Sequence, residues 1–186
     1  YGSSRGRPPV INDRPAIAVL GPNEGPEEEA IAASVASALA TSGYTLIVTG
    51  QGRTSASAAR AAHAQGGDVC VVAAPSAGEL NVDASAYTVI ERPSNLQCTE
   101  TVLDHADALL VLPGDLQALA SLMQVWAYGT TVDGPYRPLV LLGEEWPRLV
   151  KALAAAANLD RKERAMVTFA TAPDEAVESL RYYINA

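Results

Sequence analysis

Short apolar runs alternate along this chain with longer segments whose apolar residues recur at helical spacing, and this alternation limits the fold more than any other feature. The runs lie at residues 16–20, 46–48, 69–72, 108–112 and 139–142. Short runs separated by helical segments are typical of βαβ units, in which successive strands lie parallel. We therefore predict an α/β domain of the Rossmann type, with a doubly wound, mostly parallel sheet and helices on both faces.

Glycine and proline mark the ends of the helical segments. Pro26 and the acidic residues 27–29 suit the first turn of a helix, and Gly43 suits its end. The run at 108–112 is apolar throughout, as in a strand buried on both faces, and we expect it at the centre of the sheet. Further helices are predicted at residues 55–65, 95–105, 116–129, 146–157 and 174–184, with short strands at 87–90 and 166–170.

The length of 186 residues matches one ordinary domain, which can bury a core without disulfides or metal. No internal repeat or second core is evident, so residues 15–186 are predicted to form a single domain. Residues 1–14 contain glycine, serine, arginine and proline without an apolar run, which indicates a flexible tail rather than a signal peptide. The small and polar residues between Ala74 and Tyr87 indicate a loop.

Charge and cysteine content argue against several classes of partner. The net charge of -8 and the sequence pI near 4.7 give no basic footprint, so neither nucleic acid nor a membrane is expected as a partner. Cys70 and Cys98 are too few for a disulfide framework, and a cytoplasmic location is expected. His63 and His105 lack the spacing of metal ligands, so no metal site is predicted.

Three turns that follow predicted strands carry the residues best suited to a ligand: 21–25 (GPNEG), 50–52 (GQG) and 113–115 (PGD). The carboxyl ends of parallel strands share one edge of a sheet, where helix N-termini bind anions and glycine permits close approach. These turns are therefore predicted to form one crevice for a phosphate-bearing ligand, although glycine is also common in turns that bind no ligand. The predicted binding residues are Gly21, Gly50, Gly52, Arg53, Thr54, Pro113, Gly114 and Asp115.

Several residues in or near these turns have alternative roles. Arg53 either pairs with a phosphate as a charged fork or fills the space and closes the pocket. Asp115, which with Asp107 flanks the run at 108–112, is favoured as the N-cap of the following helix; the alternatives are a substitute catalytic carboxylate or repulsion of a phosphate. Cys98 is predicted to be a buried cysteine rather than a reactive thiol.

Four segments carry a family resemblance: the opening strand with Gly21, residues 38–50 (ALATSGYTLIVTG), residues 60–67 (RAAHAQGG) and residues 106–114 (ADALLVLPG). In this order they resemble the Lonely Guy family, also labelled possible lysine decarboxylases. They resemble equally its wider superfamily of Rossmann-like nucleotide-binding proteins, which includes molybdenum-cofactor carriers. The resemblance covers the chain from about residue 16 to residue 184 and implies the same fold.

The motifs that carry the family's activity are altered. Its glycine-rich turn after the second strand is reduced here to residues 50–55 (GQGRTS), and its Pro-Gly-Gly-x-Gly-Thr-x-x-Glu corresponds to residues 113–121 (PGDLQALAS). Ser121 therefore stands where the resemblance implies a catalytic glutamate, and Cys98 stands near the position of a catalytic arginine, with Arg92 as the closest alternative. In the related enzymes this pair assists cleavage of the N-glycosidic bond of a nucleoside monophosphate, and that reaction needs a carboxylate near the cationic sugar.

The altered motifs favour a non-catalytic protein that binds a phosphate-bearing small molecule, such as a nucleotide or a pterin-type cofactor, and that requires no further cofactor. One alternative is a phosphoribohydrolase with a carboxylate relocated to Asp115 or Glu91. Another is a structural or regulatory protein whose pocket has closed. The resemblance also implies a homodimer, packed through a helical stripe that is either core or interface: Leu116, Leu119, Met123 and Trp126.

Overall fold

The apolar runs form the strands of one sheet in a computed structural model, which describes residues 14–75, 86–131 and 137–185. All neighbouring strands are parallel, so the predicted α/β class and doubly wound sheet are confirmed. Residues 1–13 of the predicted tail and residues 76–85 of the predicted loop lie outside the described residues. The strands are β1 (Ala16–Leu20), β2 (Thr45–Thr49), β3 (Val69–Ala73), β4 (Thr88–Glu91), β5 (Ala108–Val111), β6 (Leu139–Leu142) and β7 (Val167–Ala170).

Strands β2 to β4 lie on one side of β1, and strands β5 to β7 lie on the other. The strand order is β4-β3-β2-β1-β5-β6-β7, so β5 returns to pair with the free side of β1 and continues the sheet the other way. β1 is therefore the middle strand, and the prediction that the run at 108–112 forms the centre is wrong by one position. Both strands are fully buried, so apolar content does not distinguish them.

The predicted helices form close to their expected limits. α2 begins at Gly52 rather than at residue 55. α6 is not predicted by the pattern because its five residues are too few to show a period; Asp160 and Glu163 cap it reciprocally. None of the described helices is long and apolar enough to cross a membrane. The helices are α1 (Pro26–Thr41), α2 (Gly52–Ala64), α3 (Asn95–His105), α4 (Leu116–Thr131), α5 (Trp146–Ala156), α6 (Arg161–Ala165) and α7 (Pro173–Ile184).

Helices cover both faces of the sheet. α1, α2 and α7 pack on one face, and α3, α4 and α5 pack on the other. Side chains alternate along β1, so that Ile17 and Val19 enter the first core while Ala18 and Leu20 enter the second. Buried alanines line the contact between α1 and α2, and their small side chains allow the two helices to approach closely.

The apolar stripe predicted along α4 is divided between core and surface. Trp126 is 3% exposed, and its Nε1 donates a hydrogen bond to the Glu163 carbonyl at 3.0 Å. Leu116 and Met123 are 79% and 41% exposed, so they do not belong to the core. Leu116 is the first residue of α4 and lines a cavity at the carboxyl edge of the sheet. The buried face of α4 includes Ala118, Leu122, Val125 and Trp126.

Candidate functional site

The three turns predicted to bind a ligand lie together at the carboxyl edge of the sheet. They follow β1, β2 and β5, the strands around the position where the sheet reverses its growth. This position is where open α/β sheets commonly bind ligands, because neighbouring loops diverge there. The structure therefore places the predicted residues at one edge, and their binding of a ligand stays a prediction.

Close backbone contacts hold these turns against one another. Gly52 has φ of 74°, and a Cβ at this position would collide with the backbone of Asn23. The Thr54 amide donates a hydrogen bond to the Asn23 carbonyl at 3.3 Å, which fixes the β1 turn to the first turn of α2. A Cβ at Gly114 would lie 2.6 Å from Pro22 Cγ, so the β5 turn also presses on the β1 turn. Glycine is required at both positions by these approaches.

The β1 turn separates two cavities with different linings. A neutral pocket of about 110 Å³ lies on the side of α3 and α4, and an acidic cleft of about 940 Å³ lies between the N-terminal ends of α1, α4 and α5. Gly21 and Asn23 line the pocket, whereas Pro22 and Glu24 line the cleft. The sequence predicts one crevice, and the structure divides it in two.

The neutral pocket contains both positions at which the resemblance implies catalytic residues. Cys98 on α3 and Ser121 on α4 line it together, with no charged residue among the described residues of its lining. Thr99 Oγ1 donates a hydrogen bond to Gln124 Oε1 at 3.3 Å and so joins the two helices at this wall. The polar lining consists of amides and hydroxyls: Asn23, Thr49, Gln51, Asn95, Thr99, Gln117, Ser121 and Gln124.

Arg92 lies near the pocket without lining it. Its Nε donates to Thr101 Oγ1 at 2.7 Å, and its Nη1 donates to the Glu91 carbonyl at 2.8 Å. Burial raises the pKa of the Cys98 thiol, and the positive charge of Arg92 opposes this to a smaller extent. Cys98 is 4% exposed and stays protonated at neutral pH, in agreement with its prediction as a buried cysteine.

The acidic cleft has the size and floor of a ligand site. Ligand pockets usually span roughly 300 to 1,000 Å³ and are lined mainly by apolar side chains. No lysine or arginine lines this cleft in the part of the chain that the structure describes. The floor consists of Pro22, Ile31, Pro113, Leu119, Trp146 and Leu149. The carboxylates around it are those of Glu24, Glu27, Glu28, Asp115 and Glu145.

The N-termini of α3 and α4 at this edge are capped by side chains of the chain itself. Asp115 Oδ1 accepts hydrogen bonds from the backbone N–H of Gln117 at 2.8 Å and of Ala118 at 3.2 Å, so its predicted role as an N-cap is confirmed. Ser94 Oγ accepts a hydrogen bond from the Gln97 amide of α3. These amides therefore already have oxygen partners.

Arg53 is paired with carboxylates of the chain itself. Its Nε donates to Glu29 Oε1 at 2.9 Å, and its Nη2 lies 3.7 Å from Glu24 Oε2. The guanidinium thus joins α2 to the β1 turn and to α1 on the surface. The backbone N–H of Gly50 donates to the Val72 carbonyl at 2.7 Å, which continues the β2–β3 ladder. The Gly50 amide is therefore occupied, and two nitrogens of the Arg53 guanidinium face carboxylates of the chain.

Other predicted candidates lie away from both cavities. Asp107 Oδ2 accepts a hydrogen bond from the Ala16 amide at 2.8 Å, so it lies at the amino edge of the sheet, at the opposite end of β5 from Asp115. Glu91 ends β4 at the margin of the sheet and is exposed. Within the described residues no group of His, Cys, Asp or Glu side chains could hold a metal ion.

The amides of the pocket and most carboxylates of the cleft are not predicted from the sequence. Asn23 and Gln51 follow β1 and β2 directly, so polar residues beside the turn glycines were an available signal. Gln117 and Gln124 reach the pocket from within α4, and their participation depends on how that helix lies on the sheet.

The fold has known structural relatives, whereas no protein-family model and no curated protein matches the sequence. The molybdenum cofactor binding protein from the phototrophic bacterium Rippkaea orientalis is 19% identical, with a TM-score of 0.70 over 92% of this chain and 98% of that one. The molybdenum cofactor carrier protein from Chlamydomonas reinhardtii is 18% identical, with a TM-score of 0.67 over 93% and 99%. DNA processing protein A from Helicobacter pylori is 12% identical, with a TM-score of 0.66 over 94% and 83%.

These likenesses establish the fold. The fold that the resemblance implies is thereby confirmed.

Proposed function

We propose that this protein binds a small heterocyclic molecule of the pterin or nucleoside type in the acidic cleft and does not transform it. The observation that carries the proposal is a ligand-sized cleft at the switch point of the sheet, beside a neutral pocket that lacks the charged pair needed for catalysis. The cofactor-binding proteins among the structural relatives support the same reading.

The floor and margin of the cleft suit an aromatic heterocycle. Ile31, Leu119 and Leu149 offer an apolar surface for a planar ring, and the carboxylates around them accept hydrogen bonds from ring N–H and amino groups. Pterins and guanine share an edge with an amino group and a ring N–H side by side, which a carboxylate can accept together. The neutral pocket, at about 110 Å³, is too small for a whole nucleotide.

The neutral pocket argues against the alternative of a phosphoribohydrolase. Cleavage of an N-glycosidic bond requires a carboxylate beside the developing cation, and Ser121 and Cys98 supply none. Glu91 lies at the sheet margin, and Asp115 is engaged as a helix cap. A role in binding nucleic acid is also not proposed, since the net charge of -8 opposes a phosphate backbone.

We also propose that the chain forms a homodimer through the outer faces of α3 and α4. Leu96, Leu116 and Met123 are 62%, 79% and 41% exposed. We call these three residues the apolar patch. Its burial in a partner would remove large apolar side chains from water. A cytoplasmic location stays a prediction, consistent with Cys70 and Cys98 both being free thiols.

A mass-spectrometric survey of small molecules released from the purified protein tests the binding role. We expect a heterocyclic molecule with wild-type protein and little of it with Leu116→Arg, which places a long side chain at the cleft. Met123→Arg is the matched control, because Met123 is exposed on the same helix and does not line the cleft. Equal amounts of the molecule with all three proteins would contradict binding in the cleft.

A further inference from the structure

We propose that the ligand lies in the acidic cleft without a phosphate group, and that Asp115 is the main residue that excludes phosphate. This inference rests on the proposed function of the cleft and adds the chemical class of its ligand. It also reverses the expectation of a phosphate-bearing ligand drawn from the turn glycines.

The N-terminus of α4 is the place where an anion would bind in this fold. It follows β5 at the switch point, and the exposed amides of such a helix start attract phosphates. Here the amides of Gln117 and Ala118 donate to Asp115 Oδ1 at 2.8 and 3.2 Å. A phosphate at this position would have to displace a carboxylate that is covalently part of the same turn, and would meet its charge at close range.

The neighbouring groups reinforce this exclusion. Glu27 and Glu28, in the first turn of α1, line the same cleft, so the positive end of that helix dipole is also compensated internally. The backbone carbonyl of Asn23 accepts a hydrogen bond from the Thr54 amide, so this amide in the first turn of α2 already has an oxygen partner. Arg53, the cation beside these turns, is held by Glu29 and Glu24. The cleft therefore presents carboxylates to a ligand from several elements at once.

The same carboxylates favour a ligand that donates hydrogen bonds. A neutral or cationic heterocycle with ring N–H and amino groups would be attracted by the charges that repel a phosphate. Guanosine and GMP are suitable probes because they present the same donor edge and differ in the phosphate alone.

The test is a calorimetric titration of guanosine and of GMP into wild-type protein, Asp115→Asn and Asp115→Asn/Glu27→Gln/Glu28→Gln. Asparagine caps a helix about as well as aspartate, so the first variant removes the charge and keeps the cap. Wild-type protein should bind guanosine at least about tenfold more tightly than GMP, because repulsion between the phosphate and nearby carboxylates lowers the affinity for GMP by more than that factor. The preference should shrink in the single variant and disappear in the triple variant.

Asp160→Asn is the matched control. Asp160 caps α6 through the Glu163 amide at 2.8 Å, and its removal alters an equivalent cap away from the cleft. It should leave the preference for guanosine unchanged.

The outcomes separate the inference from the function on which it rests. The exclusion of phosphate would be overturned if wild-type protein bound GMP as tightly as guanosine, or if the wild type and the triple variant showed the same preference. Either result would leave the binding role standing. Failure of both probes and of pterin to bind would overturn the binding role and this inference with it. Inorganic pyrophosphate gives a readout that does not depend on the heterocycle. Wild-type protein should not bind it, and tight binding by the wild-type protein would also overturn the inference.

Discussion

Replacing Gly52 by alanine should destabilise the protein much more than replacing Gly66 by alanine. The two glycines have nearly the same left-handed backbone, with φ of 74° and 72°. Both substitutions therefore carry a similar conformational strain of roughly 1 to 2 kcal/mol. Their surroundings differ: a Cβ at Gly66 meets nothing within 4 Å, whereas a Cβ at Gly52 collides with the backbone of Asn23.

The collision at Gly52 can be relieved by moving the β1 turn away from α2, which breaks the 3.3 Å hydrogen bond from the Thr54 amide to the Asn23 carbonyl. Steric overpacking costs roughly 1 to 3 kcal/mol, and the lost hydrogen bond costs roughly 1 kcal/mol. Gly52→Ala should thus lose about 2 to 4 kcal/mol more free energy of unfolding than Gly66→Ala. Urea unfolding followed by tryptophan fluorescence measures both losses. Losses that agree within about 0.5 kcal/mol would show that the β1 turn does not pack against the first turn of α2.

Three further results are expected. Wild-type protein and Ser121→Glu should both release no measurable base from AMP, since each missing preorganised group costs about 10²- to 10³-fold; wild-type turnover near about one per second would show that another carboxylate has taken over. Light scattering should give twice the chain mass of 19.4 kDa, and Leu96→Glu/Met123→Glu should give the monomer; a wild-type monomer at micromolar concentration would contradict the dimer. Burial raises the pKa of Cys70 from 9.0 to about 11, so the unfolded state loses this proton first and stability should fall as the pH rises through that interval, by up to about 3 kcal/mol. The free energy of unfolding of Cys70→Val, measured in urea across the same pH range, should fall less steeply with pH. The same slope for both proteins would contradict the assigned pKa.

The strands and the position of the crevice follow from the sequence because both depend on local signals. Apolar runs such as 16–20 and 108–112 are strands wherever they lie in the sheet, and the turn after a parallel strand lies at its carboxyl edge. The order of the strands is a different matter, since β1 and β5 are equally apolar and the choice of middle strand depends on which crossover the chain makes.

The chemical character of the site could be predicted only in part. The role of Asp115 as a cap follows from its place before a helix. Cys98 and Ser121 are uncharged residues at the two positions where the resemblance implies catalytic groups. The pairing of Arg53 with Glu24 and Glu29 could not be predicted, because it joins residues from different elements across the surface. The gathering of carboxylates around one cleft likewise depends on three helices starting at the same edge, and it is the basis on which we propose a ligand without a phosphate.

Titration of pterin into the protein tests directly whether the acidic cleft binds a heterocycle. Wild-type protein and Met123→Arg should bind pterin with similar, micromolar or tighter affinity and one molecule per chain, and prolonged incubation should leave the pterin chemically unchanged. Leu116→Arg should bind it at least about tenfold more weakly, which corresponds to about 1.4 kcal/mol. No heat of binding with wild-type protein, or equal binding by Leu116→Arg, would contradict the assignment of the acidic cleft as a heterocycle site.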